Sequence, residues 1–106
     1  MIELLAIPAW RTPPISFDAW VERLTAIAGE EPVIRRESPD GVWIEFGRLR
    51  FRGLALMVGA EVEALHFELA AVDPGPATEV IEKTAAAVGW EVHPDDGEED
   101  DDSDDD

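Results

Sequence analysis

The chain of 106 residues has no cysteine, two histidines, and eight basic residues against 25 acids, of which Lys83 is the sole lysine. Each shortage excludes something. Without cysteine there are no disulfides, thiolate metal sites or Cys nucleophiles, and the composition fits a reducing cytoplasm. With so few Lys and Arg, mostly matched by acids, no patch is expected to hold a phosphate backbone, so nucleic acid is not an expected ligand. No uninterrupted apolar run approaches the roughly 20 residues that span a bilayer. Glu3 stands where a signal peptide would carry its basic start, so neither a membrane segment nor processing is expected.

Recognisable chemistry is equally scarce. His66 and His93 show no H-x-x-x-H or HExxH spacing, so no metal site is expected. His66 and Glu68 share a strand face by alternation alone. Ser16, Ser38 and Ser103 have no paired base, and the dispersed glycines form neither G-x-G-x-x-G nor a Walker loop. The chain therefore reads as non-enzymatic and without cofactor, and its remaining expected activity is binding.

What is abundant is acid, and much of it lies at one end. Asp95 to Asp106 hold ten acids, one Gly and one Ser; without those ten, the formal −17 leaves Met1 to Pro94 at −7. Residues 1–94 are read as a single domain, large enough to bury about two thirds of the surface of its unfolded chain. Residues 95–106 are read as a disordered acidic tail that raises solubility or steers partners. The tail lacks the D-x-D-x-D-G order of a calcium loop. A charge-mimic of nucleic acid and the solubility device of salt-adapted proteins are further readings of this acidity.

Periodicity divides the body into eight elements. Ile2 to Ile7, apolar except for Glu3, reads as an internal strand. Ser16 can cap a helix carrying Phe17, Trp20, Val21, Leu24 and Ile27 on one stripe, with Gly29 to end it. Four strands follow at about 33–38, 42–46, 49–58 and 62–70, separated by turn residues. Pro76 opens a second helix with Val80, Ile81, Thr84, Ala85 and Val88 inward, Gly89 closes it, and 91–93 forms a short edge strand. The order β-α-β-β-β-β-α-β gives an α+β two-layer sandwich, a mostly antiparallel sheet with both helices on one face.

Strand registers follow from loop lengths. A two-residue turn at Gly47-Arg48 sets Phe46 opposite Leu49, Ile44 opposite Phe51, Glu45 opposite Arg50 and Trp43 opposite Arg52. A three-residue loop at Gly59-Ala60-Glu61 sets Gly53 across from Phe67, Leu54 across from His66 and Val58 across from Val62. A three-residue loop at Pro39-Asp40-Gly41 sets Ile34 beside Phe46 and Arg35 beside Glu45, and sends Arg36 towards the core side.

These registers gather Trp43, Arg50, Arg52, Leu54, Leu56, Val58, Val62 and His66 on the sheet face away from the helices. Contiguous apolar surface with Trp and Arg at its edge marks interaction sites. Five of the eight basic residues, Arg35, Arg36, Arg48, Arg50 and Arg52, also form a ridge within this stretch. Small size, acidity, absence of cofactor and an α+β order resemble in type the bacterial toxin-immunity proteins, which implies a module that neutralises a basic partner protein. The same features resemble the small acidic chaperones of secretion systems, which implies a homodimeric adaptor using this face as its self-interface.

Overall fold

The computed structural model describes residues 2–70 and 72–94; the acidic segment 95–106 lies outside the described residues. Nine elements follow one another along the chain: β1 (Ile2–Pro8), β2 (Ile15–Ser16), α1 (Phe17–Ala28), β3 (Val33–Ser38), β4 (Gly41–Phe46), β5 (Phe51–Val58), β6 (Glu61–Leu69), α2 (Gly75–Val88) and β7 (Trp90–Pro94). The strands form one antiparallel sheet ordered β3-β4-β5-β6-β1-β7, with β2 also paired to β6. This is the α+β two-layer sandwich the sequence implied, with the two-residue β2 added. β1 is internal, between β6 and β7.

Local chemistry accounts for the helices. Ser16 holds an extended backbone and its Oγ accepts from the Ala19 amide at 3.2 Å, the N-cap arrangement that satisfies an otherwise unpaired donor. Gly29 ends α1 in the left-handed region at φ 72°, and Gly89 ends α2 in the same way at φ 79°. α2 has no side-chain cap; Pro76 lies in its first turn, where the missing N–H has no cost. Trp20 and Leu24 of α1 and Ala77, Val80, Ile81, Thr84 and Ala85 of α2 are buried. The Thr84 hydroxyl, buried with them, donates to the Val80 carbonyl at 2.7 Å.

These stripes share one core with alternate residues of the strands: Leu4, Ala6, Ile44, Phe46, Phe51, Ala55, Val62, Leu65, Phe67, Leu69 and Trp90. Trp20 meets Trp90 edge to face, ring centroids 5.0 Å apart, so the residue just past Gly89 packs back against α1. Among the described residues no helix is long and apolar enough to cross a membrane.

The registers correct three expectations. β4 and β5 pair Phe46 with Phe51, Glu45 with Arg52 and Trp43 with Leu54, two residues away from the predicted alignment. Leu49 and Arg50 therefore belong to a four-residue turn, with Arg50 at φ 58°. β5 and β6 pair Val58 with Glu61 around a two-residue turn at Gly59-Ala60, and an irregularity between Leu56 and Met57 absorbs Glu63, so that Leu56 meets Ala64 and Leu54 meets His66. β3 pairs Ile34 with Ile44 and Arg35 with Trp43, again displaced by two. All of β3 is exposed, so Arg36 meets solvent rather than the core.

Candidate functional site

The outer sheet face takes its character from alternation. One residue row runs across the strands as His93, Leu5, His66, Leu54, Trp43 and Arg35, each paired with the next. A neighbouring row runs Glu3, Glu68, Arg52, Glu45 and Val33. On the other side of the first row lie Ile7, Ala64 and Leu56. The centre is thus apolar, and one flank is a charged network.

That network is closely interlocked. Arg52 donates through Nε to Glu68 Oε1 at 2.9 Å and through Nη2 at 2.8 Å, and its guanidinium lies 4.2 Å from the centroid of the Trp43 ring. Glu45 accepts from Arg35 and lies 4.0 Å from Arg52. The hydrogen bond to Glu45, and then its charge, raise the Arg35 pKa above its usual value. The Trp43 indole N–H donates to Glu37. His66 Nε2 approaches Glu3 Oε1 at 3.4 Å, and His93 Nε2 approaches Glu91 at 3.0 Å.

Five of the eight residues expected on this face stand together there: Trp43, Arg52, Leu54, Leu56 and His66. Val58 also points outwards, 62% exposed, but across from Glu61. Val62 does not belong. The bulge at Glu63 turns it to the helix side, where it is fully buried in the core, and it cannot contact a partner. Arg50 is displaced too, from the strand face to the β4–β5 turn, where it lines a concavity at the end of the sheet.

Three features went unread in the sequence. Leu5 and Ile7 bring β1 into the apolar centre; the signal was the unbroken apolar run from Leu4 to Ile7, which requires burial on one face and leaves apolar side chains on the other. Trp10, on the loop between β1 and β2, is 85% exposed, with the Arg11 guanidinium 5.9 Å from its ring centroid. That loop is braced by bonds from the Ala9 amide to the Gly89 carbonyl and from the Thr12 amide to the Ala9 carbonyl. The third is the concavity itself, about 370 Å³, formed where the β4–β5 turn meets the end of β6.

Among the described residues no group of three or more His, Asp or Glu could hold a metal ion. Comparison with protein-family models, with curated proteins and with solved structures finds no match to this chain.

Proposed function

We propose that the chain is a non-enzymatic protein-binding module, of the immunity or inhibitor type, whose outer sheet face docks a basic partner protein. The observation that carries this reading is the apolar centre Leu5, Ile7, Leu54 and Leu56 on a face that neither helix covers, with Val58 beyond it at the hairpin end; Leu56 is 40% and Val58 62% exposed. Six strands at about 4.8 Å spacing and roughly 20 Å of shared length give a face of about 500 Å², a large part of the ~800 Å² each partner contributes to a stable interface.

Charge selects the partner's sign. Arg35 and Arg52 are engaged by Glu45 and Glu68, whereas Glu61 and Glu63, exposed beside Val58, have no cation partner among the described residues. A basic rim on the partner complements them and accelerates encounter. A self-interface, the adaptor alternative, would instead bring two acidic rims together.

The test is capture of a partner by the full chain, followed by calorimetric titration of that purified protein with the wild type and with Leu56→Asp. An exposed leucine at the centre of such a contact is expected to contribute about 1.5–2 kcal/mol, so the variant binds at least tenfold more weakly while retaining its melting temperature. Equal binding by Leu56→Asp overturns the proposal. A wild-type dimer that this substitution dissociates would transfer the face to the adaptor reading.

A further inference from the structure

The arginine ridge is partly self-neutralised, with two exceptions among the described residues, Arg36 on the exposed β3 and Arg50 in the β4–β5 turn. Arg35 and Arg52 pair with Glu45 and Glu68, and Arg48 approaches Glu30 at 4.0 Å. Arg50, in their midst, has no acidic partner among the described residues. Its backbone is also unusual. Arg50 and Arg11 are the described non-glycine residues with positive φ, and the left-handed region costs an L residue on the order of 1–2 kcal/mol. The Arg50 carbonyl accepts from the Ala70 amide at 2.9 Å, which ties the turn to the end of β6 and holds the strained residue in place.

The result is a guanidinium on the wall of the concavity with its charge uncompensated by any described acid. Phe46 and Phe51, stacked at 4.9 Å between centroids, provide apolar lining, while Arg52 and Glu68 line it from the outer face. Its volume of about 370 Å³ is at the small end of ligand sites, which run from about 300 to 1,000 Å³. Strain that a glycine would relieve, a cation without a described acidic partner in an acidic chain, and an adjoining concavity of mixed charged and apolar lining coincide at one residue.

From this we infer that the concavity is a binding site for a carboxylate carried on a compact aromatic or aliphatic body, with Arg50 holding the carboxylate and the body resting on Gly47 and Ala70 over the buried Phe46–Phe51 pair. Ligand charge is bounded by the neighbours. Glu45 and Glu68 line the same cavity but are engaged by Arg35 and Arg52, so Arg50 leaves one positive charge there, which matches a monoanion rather than a phosphate dianion. The planar guanidinium also matches a carboxylate through two parallel hydrogen bonds. The inference does not depend on partner docking at the outer face.

Two sources supply this chemistry, a small free acid and the C-terminus of a peptide, and one amide-shift titration separates them. The probes are 3-phenylpropionate, its neutral amide, and a short peptide ending in Phe with either a free or an amidated C-terminus. Binding of either acid, with shifts centred on Gly47, Arg50 and Ala70 and at least tenfold preference over its amide, supports the site and identifies the source. Arg50→Gln should weaken the acid about tenfold, to the level of the amide. Arg50→Gly should abolish the preference because it removes the charge, and raise the melting temperature because relief of the left-handed strain exceeds the loss of one exposed cation, so loss of binding cannot be loss of fold. Equal binding of acid and amide, shifts scattered away from the cavity, or an Arg50→Gln variant indistinguishable from wild type would overturn the inference.

Discussion

Gly53 shows how far a single missing side chain shapes the sheet. It pairs with both Ile44 and Phe67, and a Cβ placed on it would come within 2.7 Å of the Phe67 ring, closer than real carbon contacts allow. Phe67 is fully buried, and its ring occupies the space glycine leaves, tilted against Phe51 at 6.1 Å between centroids. Two effects oppose each other in Gly53→Ala. Alanine is the better strand residue, but by less than about 1 kcal/mol. Displacing a packed ring in a closed core costs about 1–3 kcal/mol, so overpacking wins. Urea unfolding of Gly53→Ala should show a lower midpoint at unchanged slope; a midpoint equal to or above wild type would mean that Phe67 rotates away freely.

Among the elements, α1 depends most clearly on one local contact, the Ser16 cap. Ser16→Ala removes the acceptor for the Ala19 amide and leaves the backbone pairing of β2 with β6 intact. The expected loss is about 1 kcal/mol, read as a lower denaturation midpoint. This cap, both terminating glycines and every long strand could be read from the sequence, because each leaves a signature within a few residues. The registers of β3 with β4 and of β4 with β5 could not. Side-chain direction repeats every two residues, so pairing Phe46 with Leu49 or with Phe51 places the same apolar column on the same face, and only the turn decides. The sequence favours Gly47-Arg48 as the turn, but the chain continues to Arg50 because Glu30 engages the turn, accepting from the Arg48 amide at 3.0 Å. Val62 was misplaced for a related reason. A shorter turn at Gly59-Ala60 and a bulge at Glu63 cancel by Leu56, leaving the rest of the predicted pairing correct and moving that one residue across the sheet.

At the scale of the molecule, the outer face was legible because alternation in β4, β5 and β6 survives these register changes; Leu5, Ile7, Trp10 and the Arg50 concavity depend on which strands adjoin and where loops end, which no local pattern encodes. Net charge is the property that composition does define, and it carries a consequence for stability. With a formal −7 on residues 1–94, folding concentrates like charge, and the resulting repulsion is screened as the Debye length falls from about 10 Å at 0.1 M salt to about 3 Å at 1 M. Salt also weakens the exposed pairs Arg35–Glu45, Arg52–Glu68 and Lys83–Glu79. Each such pair contributes only about 0–1 kcal/mol. Net repulsion acts among all the unmatched acids at once and outweighs these pairs. Raising sodium chloride from 0.1 to 1 M should therefore raise the melting temperature, by about 4–8 °C for each kcal/mol of repulsion removed. A melting temperature that falls with salt would show that the Arg52 and Arg35 network, rather than the excess of acid, governs the electrostatics of the folded chain.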